Sequence, residues 1–238
     1  MITYVIPAYN EEENLRRIGS ELIPALNASG EKYEIIIVND GSSDSTEIEA
    51  KKLVDRFKFV RLISHKKNSG MGAAVRTGIS SASGDILITL DSDLTYGPSE
   101  ILKVLNEYKK TKADCVIGSH FMEGGNVEEV KDVRKLLSQA INHIYRMLFG
   151  GNVKTISSIL RLYKTEQLRE LNLTSAGFTI NAEILFKLLQ RKRRVVETPV
   201  TLTTRKFGIS KLNFWKEAKN HIVLLTKVIV WKLFPKAT

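Results

Sequence analysis

The chain has 238 residues, 43% of them apolar and 26% charged. That is enough for one large domain or two small ones, and it excludes disordered, collagenous and low-complexity classes. A single cysteine, Cys115, excludes an internal disulfide and multi-cysteine zinc or iron–sulfur sites, and suits a reducing compartment. The net charge of +10 is concentrated in the tail: residues 187–238 hold 13 Lys and Arg against 2 Asp and Glu, whereas residues 1–186 hold 23 against 24.

Ile2–Ile6 reads as a buried strand that runs into the loop Pro7-Ala8-Tyr9-Asn10. The spacing of Leu15, Ile18, Leu22 and Leu26 predicts a helix over 14–26. Tyr33–Val38 is a second strand, and Asp44-Ser45-Thr46-Glu47 offers capping chemistry for a helix to about Phe57. A third strand is predicted over 59–63, a helix from Gly70 to about Ala82, and a fourth strand over 86–90. Pro98 marks a helix start, and 114–118 is a fifth strand. This alternation predicts an α/β fold with a mostly parallel sheet covered on both faces. Helices follow over 131–149 and 178–190. A strand over 195–203 contains Pro199, which suits an edge or a bulge. A broadly apolar helix closes the chain over 213–234.

In an open parallel sheet, ligands sit beyond the carboxyl ends of the strands. Three polar clusters fall at such ends: Tyr9-Asn10-Glu11, Asn39-Asp40-Gly41-Ser42 and Asp91-Ser92-Asp93. Each alone is ordinary turn chemistry, but their recurrence at three strands points to a site. Carboxylates at i, i+2 suit a hard divalent cation, which in turn suits the phosphates of a nucleotide. Gly70-Met71-Gly72 is not a dinucleotide fingerprint, because position 75 is Val and the strand is the wrong one. It reads as a tight helix entry. His65, His143 and His221 read as packing or surface residues and Cys115 as core; His120 reads first as packing too, with a ligand contact as the alternative that its strand-end position offers.

Val5-Ile6-Pro7-Ala8-Tyr9-Asn10-Glu11, Val38-Asn39-Asp40-Gly41-Ser42, and Gly84-Asp85-Ile86 leading to Asp91-Ser92-Asp93 resemble, in that order, the motifs of family 2 glycosyltransferases. The likeness continues through Gly118-Ser119, Gly124-Gly125, Arg134 to Ser138, and Arg205-x-x-Gly208-x-Ser210-Lys211. It is similar to the branch of dolichyl-phosphate mannose synthase and its polyprenyl-phosphate relatives. The resemblance implies a GT-A, Rossmann-like catalytic domain over 1–212, with a basic amphipathic helical extension over 213–238. It implies transfer of a hexose, with GDP-mannose as the leading donor and UDP-sugars as the alternative, to a polyprenyl or dolichyl phosphate. By position, Pro7, Tyr9, Glu11, Asp40, Asp91, Ser92 and Asp93 would surround the nucleotide sugar. Asp93 and Asp91 would hold a divalent cation, Mg or Mn. Arg134, Ser138, Arg205 and Lys211 would serve the acceptor phosphate, with Asp93, Arg134, Arg205 and Lys211 carrying catalysis.

Three positions depart from the family pattern. Thr95 stands where a Gln is frequent, His120 follows Gly118-Ser119 where Arg is common, and 155–160 (Thr-Ile-Ser-Ser-Ile-Leu) replaces a Gly- and Pro-containing segment. The basic tail, with Trp215, Ile222, Leu225, Ile229, Trp231 and Phe234, is expected to lie on an anionic membrane surface. The expected place is the cytoplasmic face, either as a peripheral protein or as the catalytic part of an anchored one. Nucleic acid is not an expected partner, since no helix-turn-helix, zinc-finger or RNA-binding signature is present. Three other readings remain at this point: a sugar-nucleotide pyrophosphorylase, which lacks its glycine-rich loop here; a catalytically weak, membrane-associated binding subunit; and a polysaccharide glycosyltransferase.

Overall fold

A computed structural model describes residues 1–127, 132–149, 153–208 and 214–233, with backbone alone for 132–140 and 214–216. Seven strands form the main sheet in the order β3-β2-β1-β4-β7-β5-β8. These are β1 (Ile2–Ala8), β2 (Tyr33–Asn39), β3 (Val60–Ser64), β4 (Ile86–Thr89), β5 (Cys115–Ser119), β7 (Arg161–Lys164) and β8 (Val195–Pro199). All pairings are parallel except those of β7, which runs antiparallel between β4 and β5. Two short strands, β6 (Asn126–Val127) and β9 (Thr201–Leu202), pair separately.

The central strands are apolar throughout because both faces are covered. In β1, Tyr4 and Ile6 enter one core with Leu15, Leu22, Ile101 and Leu105, while Val5 enters the other with Val75, Ile79, Ile184 and Leu224. The first helical segment carries Leu15, Ile18, Leu22 and Leu26 fully buried on one face, as their spacing predicts. It is divided into α1 (Glu12–Arg17), a π-helical stretch (Ile18–Leu22) and α2 (Ile23–Ala28). Pro24 has no N–H to give the preceding turn, which accounts for the irregularity. Further along come α3 (Thr46–Arg56), where Asp44 Oδ1 accepts the Thr46 N–H at 2.9 Å, and α4 (Met71–Ser81). α5 (Pro98–Thr111), α6 (Asp132–Phe149) and α7 (Thr165–Arg169) follow. α8 (Ile180–Gln190) and α9 (Phe214–Leu233) complete the set.

Strand β7 was not anticipated. Its Arg161 is completely buried and donates to the carbonyls of Ser158 (2.7 Å), Asn181 (2.8 Å) and Ile156. A cation inside a four-residue strand hides the apolar pattern that would mark it. Pro199 does end an edge strand, and the strand is interrupted there before β9.

Asp114 fastens three strands together just before β5. Its carboxylate accepts bonds from Lys164 Nζ (2.8 Å), Gln167 Nε2 (2.7 Å) and the Arg194 N–H (2.8 Å). Burial alone would raise its pKa, but these three donors outweigh it and hold the group at about 2. A carboxyl depressed in the folded state gives stability that is present above its unfolded pKa of about 4 and lost as pH falls toward 2. Asp114→Asn is therefore expected to cost about 1–2 kcal/mol at pH 7. Urea titrations should find the gap to wild type closing as pH drops below 4.

Candidate active site

The strand order reverses between β1 and β4, so a crevice opens at their carboxyl ends. The loop after β1 turns on Asn10, which takes a left-handed φ of 53° that Asn tolerates. It is tied to the loop after β2: Asn10 N–H donates to Ser42 Oγ at 3.0 Å and Glu11 N–H to Thr46 Oγ1 at 2.7 Å. Asp40 is buried and pins a third loop. It accepts the N–H groups of Ser69 (3.0 Å) and Gly70 (2.7 Å) and lies 2.6 Å from His65 Nδ1. Gly70 (φ 93°) leaves no room for a side chain, since a Cβ there would fall 2.5 Å from the Ala176 carbonyl. The glycines of 70–72 thus seat α4 against the 175–177 loop, in keeping with a tight helix entry.

The loop after β4 carries the acids. Asp93 is buried, its Oδ1 accepts the Thr95 N–H at 3.0 Å, and Leu94 is held at φ 52°, an uncommon conformation for that residue. Arg205 arrives from the far end of the chain and grips two acids. Its Nε donates to Asp93 Oδ2 and its Nη1 to Glu11 Oε1, each at 2.9 Å. Asn14 Nδ2 holds the other Glu11 oxygen at 2.6 Å. Three carboxylates therefore surround one guanidinium. Desolvation, then Asp93 and Glu11, push the Asp91 carboxyl well above the usual range, against Arg205. Glu11 is also raised, by burial first, although Arg205 opposes it. Such a cluster favours further positive charge.

These groups line a cleft of about 540 Å³ formed by Pro7, Tyr9, Glu11, Asp40, Asp91, Ser92, Asp93 and Arg205 together with Ser69, Gly70 and Phe178. A second cavity of about 380 Å³ adjoins it, and the two share Met71, Asp91, Phe178 and Glu217. The crevice is acid-rich, lies at a topological switch point and is bounded by three strand-end loops. The model for glycosyl transferase family 2 matches residues 3–172. The chain belongs to this family.

Among family 2 relatives, the dolichol-phosphate mannosyltransferase of Pyrococcus furiosus is 35% identical over 213 residues, 89% of this chain and 59% of that protein. The polyprenol monophosphomannose synthase of Mycolicibacterium smegmatis is 30% identical, covering 88% of this chain and 80% of that one. The undecaprenyl-phosphate 4-deoxy-4-formamido-L-arabinose transferase of Pectobacterium carotovorum is 32% identical, covering 90% and 63%. The chain thus spans about three fifths of the length of the first and third. The GT-A architecture is shared with glucosyl-3-phosphoglycerate synthase from Mycobacterium tuberculosis, solved with Mn2+, UDP and phosphoglyceric acid (TM-score 0.72, 20% identity, 96% of this chain and 78% of that one).

Eight of the expected family 2 site residues therefore meet in one cleft. The side chains of Arg134 and Ser138, within α6, and the whole of Lys211 lie outside the described residues. The sequence reading did not include Ser69, Ala176–Phe178, Glu217 or Asn220. Glu217 accepts the Phe178 N–H at 3.2 Å and Asn220 Nδ2 at 3.0 Å, so the start of α9 is part of the cleft wall. The glycines at 70 and 72 were the available signal for the first two. Nothing in an amphipathic tail pointed to the last two.

The outward face of α9 also differs from the expectation. Trp231 is 9% exposed and stacks on Phe186 at 5.7 Å, with Lys187 Nζ 4.6 Å from its ring centre. Lys187 itself is buried and paired with Glu183 at 3.2 Å, so it is not one of the surface cations. The exposed apolar residues are Ile222, Val223, Ile229, Val230 and Leu233. No described helix is long and apolar enough to cross a membrane.

Proposed function

We propose that this chain transfers a hexose, with inversion, from a nucleotide sugar to a polyprenyl phosphate at a membrane surface, with GDP-mannose the leading donor. The observation that carries this reading is the Glu11–Asp91–Asp93 cluster with Arg205 at the mouth of a nucleotide-sized cleft. The relatives named for dolichol-, polyprenol- and undecaprenyl-phosphate substrates support the acceptor class.

The chemistry follows from charge. A phosphate monoester carries about −1.5 to −2 at pH 7, so it attacks the anomeric carbon without a base to deprotonate it. The protein's task is to hold two anions together and to stabilise the departing diphosphate. Arg205, on a loop fixed by Thr203 N–H donating to the Thr95 carbonyl at 2.9 Å, would serve that task. Asp91 and Asp93 fit a hard divalent cation, although no three acids or histidines enclose one among the described residues. They would hold Mg or Mn, and the M. tuberculosis enzyme of the same fold was solved with Mn2+ and UDP. When bound, such an ion supplies positive charge to the diphosphate. The test is a screen of GDP- and UDP-sugars for nucleoside diphosphate release in vesicles holding polyprenyl phosphate. Release that depends on the lipid phosphate supports the reading, and release indifferent to it counts against the acceptor.

In this reading α9 would carry the membrane contact. Ile222, Val223, Ile229, Val230 and Leu233 face outward, and Ile144 and Met147 of α6 are exposed as well. Arg191, Lys192 and Arg194 at the end of α8 are exposed, and basic residues near an anionic surface contribute about 1 kcal/mol each. Deleting the tail is a poor test, because Leu224, Val228 and Trp231 belong to the core. Replacing Ile222, Ile229 and Leu233 together by Ser should instead reduce co-sedimentation with anionic liposomes about tenfold or more, given roughly 1.5–3 kcal/mol per fully buried side chain. Salt should weaken wild-type binding without abolishing it. Unchanged sedimentation of the triple variant would take α9 out of the membrane contact.

A further inference from the structure

The first helical segment carries a polar stripe beside its apolar one. Asn14, Arg17 and Glu21 are spaced to share a face, next to the buried Leu15, Ile18 and Leu22. The stripe is turned toward the acid cluster. Asn14 Nδ2 donates to Glu11 Oε2 at 2.6 Å and to the Phe207 carbonyl at 3.3 Å, and Glu21 Oε2 lies 4.0 Å from Lys206 Nζ.

Arg17 is the centre of that stripe, and its side chain is only 9% exposed. Its Nε and Nη2 donate to the two Glu21 oxygens at 2.8 and 3.0 Å, a planar two-point grip. A pair of this kind forms as well on a helix surface, so it gives no reason to bury a guanidinium. The remaining nitrogen supplies one: Nη1 donates to the backbone carbonyl of Asp93 at 2.5 Å. Glu21 fixes the fork, and the fork fixes that carbonyl.

The carbonyl belongs to the peptide between Asp93 and Leu94. Leu94 is at φ 52°, a conformation that persists only where its surroundings over-determine it. Arg17 holds the oxygen of this peptide, and the Leu94 N–H donates to the Asp91 carbonyl at 3.4 Å. A peptide plane held at both ends sets the direction in which the Asp93 carboxylate leaves the backbone. Arg205 also grips Asp93, but on Oδ2, an oxygen that a cation would have to share. Arg17 touches the backbone oxygen instead and does not line the cleft. It can therefore stay in place with a cation bound.

We propose that Arg17, locked by Glu21, is a positioning residue that aims the Asp93 carboxylate at the divalent cation while touching neither cation nor substrate. This rests on the reading of Asp93 as a cation ligand given above.

The test is Mn2+ binding to the full chain, read from the free-ion EPR signal, with GDP and in parallel with UDP present. Arg17→Met keeps a buried stem and removes the fork. It should weaken Mn2+ binding about 10- to 100-fold, the range for groups that orient a metal ligand. A nearby charge and nothing more predicts the opposite sign, because loss of a cation beside the site would tighten Mn2+ binding. A brace for the helix and nothing more predicts an earlier melt with Mn2+ affinity unchanged. Arg17→Lys keeps the charge and carries the test if the Met variant does not fold. It should also bind Mn2+ weakly, since an ammonium cannot reproduce the planar fork that joins Glu21 to the carbonyl. Binding of GDP or UDP in excess chelator should match the wild type in both variants. Tighter or unchanged Mn2+ binding in Arg17→Met, or wild-type affinity in Arg17→Lys, would overturn the assignment. So would an equal loss of GDP or UDP binding in chelator, which would make Arg17 a brace for the whole cleft. If the wild type binds no Mn2+, or Asp93→Asn binds it as tightly, the cation reading falls and this inference falls with it.

Discussion

Asp93→Asn is expected to lower sugar transfer about 100-fold or more with the fold intact, the scale seen when a main electrostatic stabiliser is removed. The amide keeps the shape of the carboxylate, and its oxygen can still accept the Thr95 N–H. What it loses is the charge that meets Arg205 and that would meet a divalent cation. Arg205 keeps Glu11 as a partner, and the variant relieves repulsion with Asp91, so the stability cost should stay near 1–2 kcal/mol. Steady-state transfer assays and thermal melts on the same preparation read both quantities. Full turnover of the variant, or full wild-type turnover in excess chelator, would contradict the assignment.

The second large effect is at Arg205. Arg205→Ala should reduce transfer about 100- to 1000-fold, and Arg205→Lys should recover little, because an ammonium cannot bridge Glu11 and Asp93 as the planar fork does. From sequence alone the position reads as a surface loop whose loss costs less than about 1 kcal/mol. The structure changes that expectation. Its side chain is only 25% exposed and it is the counter-ion of two carboxylates that are each 7% exposed. Its removal leaves Glu11, Asp91 and Asp93 facing one another, so a loss of about 2–3 kcal/mol is expected. If Arg205→Ala melts early while its folded fraction turns over normally, the residue braces the site and does no more.

The parallel half of the fold was legible because its signals are local. Short apolar runs end in Asn10, Asp40 and Asp91, and helical spacing lies between them, so β1, β2 and β4 and the polar groups beyond them follow from neighbours in sequence. Strand β7 was hidden by its buried Arg161. The Arg205 clamp joins positions 112 and 194 residues apart, and no local pattern contains such a pairing; the family resemblance named Arg205 for phosphate and not for this contact. The tail illustrates a different limit. An amphipathic period names two faces of α9, but only packing decides that Trp231 turns inward onto Phe186 and that Glu217 reaches the cleft. The two departures at His120 and 155–158 looked independent in sequence, and their link through Tyr96 emerged when β5 and the loop before β7 were placed side by side.

The central claim is that the acceptor is a lipid phosphate. The most direct measurement incubates the chain with a radiolabelled nucleotide sugar, Mg or Mn and vesicles that contain polyprenyl phosphate, then follows the label into the organic phase. The account predicts a labelled lipid that forms in step with nucleoside diphosphate release, is absent when the polyprenol lacks its phosphate, and falls about 100-fold with Asp93→Asn. Label that stays in the aqueous phase while the donor is consumed, or that reaches unphosphorylated polyprenol equally well, would contradict it.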